Sequence, residues 1–253
     1  MAEKFTVPTE LIDLPSKGLI YSKESPLSSG TVEMRYMTAA HEDILTNINN
    51  LKNGTAIEKT LKALLPADLK YDDLVLGDRN GLLIAARILA YGADYSFKYT
   101  DPATGEEEVV NADLQTMKYK EIDEALFTGK NEFSFALPFS KNTVTFKLLT
   151  VGDDKKIDEE AKGLKKALGQ EPGALSLRMK HQITSVNGDY TTKTIREFVD
   201  QALMSRDSVE LRRYIAKVTP DISTKIDVVL KSGEEVVVDL PMNASFFFPT
   251  AGE

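Results

Sequence analysis

The chain has 253 residues, with 31 Lys and Arg against 39 Asp and Glu, a net charge of −8. An acidic surface argues against non-specific nucleic-acid binding, which needs basic groups facing the phosphates; no apolar run approaches the ~18–20 residues that span a bilayer. Cysteine is absent, which removes disulfides, thiolate metal sites and cysteine nucleophiles, and the opening MAEKFTVPTE lacks the basic-then-apolar order of a secretory signal.

Residues 1–30 contain Pro8, Pro15, Pro26, Gly18 and Gly30. Proline fixes φ and disfavours helix in the preceding residue, so an extended N-terminal arm is expected here, not a packed element. Within it, LPSKGLIY (Leu14 to Tyr21) places the turn Ser16-Lys17-Gly18 between apolar residues. It reads either as a turn leading into the fold or as an arm that lies on a neighbouring protein. On the second reading Pro15, Ser16, Lys17, Gly18 and Tyr21 are partner-binding candidates, and deleting residues 1–25 is expected to leave a folded chain.

Thr31 to Thr38 alternates, with Val32, Met34 and Tyr36 on one side, the pattern of a half-buried strand. From Ala39 the spacing of Ile44, Ile48 and Leu51 is helical, and Asn53-Gly54 ends the run. A second helix, Thr55 to Leu65, stops at Pro66. The central helix follows Leu74 to Leu76. Asp78 or Asn80 is expected to cap it, Leu83, Ile84, Ile88 and Leu89 form its apolar face, and Gly92 is expected to close it in the left-handed conformation. Arg87 either snorkels to the surface or pairs with Asp78 or another acid. Tyr95 to Tyr99 and Glu106 to Val110 flank the turn Asp101 to Gly105 and predict a hairpin. Lys118 to Asn131 is expected to be a short helical connector.

Phe133, Phe135 and Leu137 then open a strand, and DDKKIDEEAKGLKKAL (Asp153 to Leu168) predicts a charged, solvated helix. Leu175 to Val186 reads as helix and Asn187-Gly188 as a turn. Thr194 to Met204 is a further helix. Asp207 with Glu210 fits a capping box for a helix over Ser208 to Val218. A second hairpin runs over Ile226 to Leu230 and Glu234 to Val238. The tail places Phe246, Phe247 and Phe248 beside Pro249. These four either close the core or form an exposed anchor.

Parts of the chain occur twice. Gly77, Asn80, Leu83 and Gly105 match Ser205, Ser208, Leu211 and Gly233 at one offset, 205 − 77 = 128. Upstream, Thr31, Val32, Arg35 and Thr38 match Thr143, Val144, Lys147 and Thr150 at 143 − 31 = 112. The period is too long for a solenoid, whose units run ~20–50 residues. The fold class expected is α+β: two tandem related domains, each a strand, helices and a β-hairpin. The arm covers 1–30, the first domain 31–117, a connector 118–131, the second domain 132–243 and the aromatic tail 244–253.

Catalytic patterns are not found. His41 and His181 stand at unrelated places and have no partner at metal-ligand spacing. There is no nucleophile elbow and no phosphate loop. Glu106, Glu107 and Glu108 beside a turn read as a solvated loop before a cation site. No catalytic residue, metal or cofactor is expected, and the chain does not read as an enzyme.

LPSKGLIY, then SSGTVEMRYMTAAHEDIL, then GDRNGLLIAARILAYG, taken in that order, resembles the baseplate hub protein family of T-even-type contractile-tailed bacteriophages. The terminal FFFP is similar to an aromatic-proline ending in that group. Relatives carry Cys-Pro-x-Cys-Gly at the hairpin turns, a small zinc knuckle. Here the turns read Asp101-Pro102-Ala103-Thr104-Gly105 and Val229-Leu230-Lys231-Ser232-Gly233, so the resemblance implies a degenerate, zinc-ribbon-like hairpin held without metal. It also implies a structural protein of the virion tail baseplate, assembled in the host cytoplasm. Its partners would be other tail and baseplate proteins, among them tail-tube or wedge components, with homo-oligomers possible in the assembly and neither nucleic acid nor membrane involved. Docking would use the arm, the tail and the hairpin edges. Two alternatives are an assembly chaperone absent from the mature particle and an acid-dependent hydrolase.

Overall fold

A computed structural model describes residues 6–101, 104–240 and 244–247. The fold is α+β, as expected, with small antiparallel sheets and helices in alternation. In chain order the elements are β1 (Thr9–Asp13), β2 (Thr31–Arg35), α1 (Ala39–Thr46), α2 (Ile48–Lys52), α3 (Ala56–Leu64), α4 (Leu76–Tyr91), β3 (Asp94–Thr100) and β4 (Glu107–Asp113). The second half follows with β5 (Phe133–Ala136), β6 (Thr143–Phe146), α5 (Val151–Leu168), α6 (Ala174–Gln182), β7 (Ile183–Val186), α7 (Thr192–Glu197), α8 (Ser205–Val218), β8 (Lys225–Val229) and β9 (Glu235–Asp239). The pairings are β1-β2, β3-β4, β5-β6-β7 and β8-β9, all antiparallel.

Each half therefore runs through a strand pair, helices, a last helix of at least 14 residues and a closing hairpin. The helix after the first strand pair starts the same way in both. Thr38 N–H donates to His41 Nδ1 at 3.0 Å, and Thr150 N–H donates to Asp153 Oδ2 at 3.2 Å. Each bond satisfies a donor at the helix entry through a side chain three residues on. The second half also inserts β7 beside β6.

Helix α4 sits where the halves meet. Its second residue, Gly77, lies so close to the chain after α8 that a Cβ there would be 1.8 Å from Pro220 O. One turn on, a Cβ at Gly81 would lie 2.9 Å from the Pro15 ring. Side chains Leu82, Leu83, Ile84 and Ala86 are buried, and Leu211, Ile215 and Val218 of α8 belong to the same apolar cluster. Backbone bonds add to this packing: Leu76 N–H donates to Leu149 O at 3.1 Å and Val151 N–H to Leu74 O at 2.8 Å.

Several expectations are corrected. Residues 6–30 are not an extended arm. Thr9–Asp13 pairs with Thr31–Arg35, and Leu14, Ser16, Ile20 and Tyr21 are buried, because Pro15 sits in a turn and Pro26 opens a 3₁₀ turn, and these fold the segment back onto α4. Deleting residues 1–25 would remove part of the core. Residues 118–131 are not helical. Tyr119 bridges to Ile222, Lys120 N–H donates to Asp221 O, and one 3₁₀ turn covers Glu124–Leu126. The Lys120 ammonium caps the end of α8, donating to Ala216 O, Lys217 O and Thr219 O. Leu175 to Val186 divides into α6 and the strand β7, where β-branched Ile183, Thr184 and Val186 suit a pleated ladder. Residues Phe198–Ala202 continue α7 as a π-helical turn. Helices α4 and α8 begin earlier than expected, at Leu76 and Ser205, so neither Asp78 nor Asp207 is an N-cap. Gly92 ends α4 with φ 84° and ψ 175°, positive in φ but extended, not left-handed helical.

Candidate docking surfaces

The residues singled out in the N-terminal segment meet on a buried aspartate. Asp78, in the first turn of α4, accepts from Ser16 N–H (2.8 Å), Ser16 Oγ (2.6 Å) and Tyr21 OH (2.6 Å). Tyr21 OH in turn accepts from Val75 N–H at 3.1 Å. Burial raises the Asp78 carboxyl above the usual carboxylate range, and the bonds from Ser16 and Tyr21 oppose that without reversing it. Burial and the neighbouring carboxylate likewise push Tyr21 up. Pro15 packs on Gly81, and Gly18 has φ 76° and abuts Ser28 and Gly30, where only glycine fits. Of the five candidates only Lys17 is exposed; it pairs with Glu124 at 2.5 Å. Four of the five therefore face the chain's own interior.

The aromatic tail behaves in the same way. Phe246 and Phe247 are 1% and 2% exposed, and Phe246 meets the Tyr95 ring edge-on at 5.1 Å. Phe248 and Pro249 lie outside the described residues. Arg87 does not pair with Asp78. It is buried, donating from Nε to Phe246 O (3.0 Å) and from Nη1 to Gly92 O (3.2 Å), with its guanidinium 4.9 Å from the Tyr91 ring centre. The arginine thus ties the tail to the end of α4.

The second half holds an aspartate in the same manner. Asp207, third residue of α8 as Asp78 is of α4, accepts from Phe139 N–H and Ser140 N–H, both at 2.9 Å. Burial acts upward on this carboxyl too, but the two backbone donors and the nearby Lys141 charge outweigh it and the net shift is downward. These two aspartates were not read from the sequence as anchors. The signal available was the recurrence of Leu14-Pro15-Ser16-Lys17 as Leu137-Pro138-Phe139-Ser140-Lys141.

Of the exposed apolar side chains among the described residues, four lie on the hairpins. Leu11 on β1 is 70% exposed, and Val229 and Val237 on β8-β9 are 66% and 64% exposed. Val109 projects likewise from β4. The closing hairpins meet where Lys231 N–H donates to Glu108 Oε2 at 2.9 Å. In addition, a shallow groove follows one face of α8. Its widest part, about 550 Å³, lies between Phe139 and Val209, and two sections of about 240 Å³ continue past Leu175 and Met179 to Ala216. The groove residues Ser205, Val209, Arg212 and Ala216 recur at helical spacing, beside the buried stripe Ser208, Leu211, Ile215 and Val218, of which Ser208 and Ile215 also line the groove. That second stripe was legible in the sequence and was not read.

Among the described residues no group of three or more His, Asp or Glu could hold a metal ion, and no helix is long and apolar enough to cross a membrane. His181 bonds Glu160 at 2.8 Å; the Arg196 guanidinium and this imidazole, against some burial, pull Glu160 down to about 2. That cluster ties α5, α6 and α7 together.

No curated protein and no solved structure matches the chain. A family profile described as T4 bacteriophage base plate protein matches residues 19–248, which spans both halves and every element above except β1. The chain belongs to the T4 bacteriophage base plate protein family.

Proposed function

We propose that this chain is a structural component of the baseplate hub that works by docking to other tail and baseplate proteins and catalyses no reaction. Membership of a base plate family implies a location in the virion tail and neighbours drawn from the tail. The observation that carries the docking reading is the set of two-stranded hairpins with outward aliphatic side chains, Leu11, Val109, Val229 and Val237. Each strand of such a pair leaves backbone donors and acceptors outside its ladder, a ready template for a neighbour's strand. The N-terminal segment and the described part of the tail are consumed inside the fold, so docking falls to the hairpins and the helical surface.

We also infer that residues 31–117 and 132–243 descend from one duplicated unit joined by 118–131, and that the first copy extends back through the Leu14-Pro15 turn and β1. The paired aspartates, the matching helix entries at Thr38 and Thr150 and the two closing hairpins support this reading.

Quantitative mass spectrometry of purified virions tests the role. A stoichiometric amount of the chain is expected. Its absence from particles that need it for assembly would replace the structural role with that of a chaperone.

A further inference from the structure

The groove along α8 has a charge at odds with the rest of the molecule. The chain as a whole carries −8, yet the charged side chains on the groove walls are Arg178, Arg206 and Arg212 against Glu210 alone. Glu210 is held by Arg213 at 2.6 Å and Arg178 by Asp154 at 3.0 Å. Among the described residues neither Arg206 nor Arg212 has a carboxylate in ion-pair reach. Arg206 lies over the Phe139 ring, 5.2 Å from its centre, and Arg212 Nε donates to Ser208 O at 3.2 Å. Two exposed guanidiniums therefore stand over an apolar floor with their remaining donors unused by the chain.

We propose that this groove receives an amphipathic helix with acidic flanks, supplied by another protein of the assembly; the proposal rests on the docking function above. The length fits. Helix α8 has 14 residues, about 21 Å at 1.5 Å per residue, so a helix of about four turns lying along α8, with Phe139 at one end and α6 at the other, meets the whole groove. Its apolar stripe covers Leu175, Val209 and the exposed Phe139, and its carboxylates reach Arg206 and Arg212, where bidentate pairing favours arginine over lysine. A second copy in a two-fold contact fits poorly, because each groove would face its own like-charged duplicate.

The test uses the full chain and a fluorescein-labelled peptide of about sixteen residues, Leu at helical spacing and Glu elsewhere, with a control carrying Lys for Glu. Anisotropy titration is expected to give saturable binding of the Glu peptide only, weakened at least about tenfold by R206E/R212E. The urea midpoint of that variant, whose substituted side chains are exposed, checks that it is folded. Equal binding of the Lys peptide, no saturable binding, or no effect of the double substitution overturns the proposal. So does a dimer in sedimentation equilibrium that R206E/R212E dissociates, which would give the groove to a second copy. Virions complemented with each form separate the two readings. Normal incorporation of R206E/R212E overturns the groove and leaves the docking role intact, whereas absence of the wild-type chain overturns the role itself.

Discussion

The first and second halves fasten a Leu-Pro turn to a long helix through an aspartate in that helix's third position, and they do it in opposite electrostatic states. In the first, the turn is followed by an excursion from Leu19 to Ser29 before the chain rejoins Leu14, whose N–H donates to Gly30 O at 2.8 Å. In the second, the excursion is missing, and Leu137 N–H donates directly across the tip to Asn142 O at 2.8 Å. The excursion brings Tyr21 onto Asp78, and there desolvation dominates over the bonds the carboxylate accepts. Asp207 is as fully enclosed as Asp78, but desolvation is outweighed there by its backbone donors and the Lys141 charge together. The shifts differ in sign because Asp78 meets one N–H, two hydroxyls and the neighbouring Asp221 charge, whereas Asp207 meets two backbone N–H groups and the Lys141 charge.

Removing the first segment should have the largest effect. Deleting residues 1–25 takes out β1, the Ser16 donors and Tyr21, and is expected to abolish cooperative urea unfolding. A retained sigmoidal transition would mean that the segment is dispensable to the core. Next comes Asp78→Ala, which leaves three buried donors without an acceptor and is expected to cost on the order of 4 kcal/mol. Asp207→Ala strands two donors and should lose about half as much by the same measurement. Equal losses would show that the excursion contributes nothing to the first anchor.

A third contrast concerns close approach. Gly77→Ala must displace Pro220 and is expected to destabilise by about 2 kcal/mol. Ser205→Ala, at the residue that the 128-residue offset matches to Gly77, is exposed and should stay within about 0.5 kcal/mol. The smallest effect is in pH dependence. Because the folded Asp78 pKa lies above its unfolded value of about 3.9, the native state binds more protons in that window, and this group's contribution is lost as pH rises from about 4. Asp207 is lowered, so its contribution is fully present above about 4 and is lost as pH falls through the folded pKa. Stability of wild type minus Asp78→Asn should therefore fall with rising pH above about 4, while wild type minus Asp207→Asn should rise with pH below it. Slopes of one sign for both would mean that the two carboxyls are shifted in the same direction on folding.

Much of the local structure could be read in advance. The alternation at Val32 and Met34, the charged run that forms α5 and the glycine turns at Gly105 and Gly233 depend on neighbours a few residues away, and those neighbours are written beside them. The α+β class followed from such segments. Contacts across the fold assigned the polar residues instead. Asp78 finds Ser16 across 62 residues, Asp207 finds Phe139 across 68, and Arg87 finds Phe246 across 159. A buried charge is tolerated only where distant donors or acceptors converge on it, and no local pattern records which segments return to one place. The same reason turned the proline-rich segment and Phe246 and Phe247 inward: their composition permits exposure, and their burial depends on the surface that α4 and the first hairpin offer them.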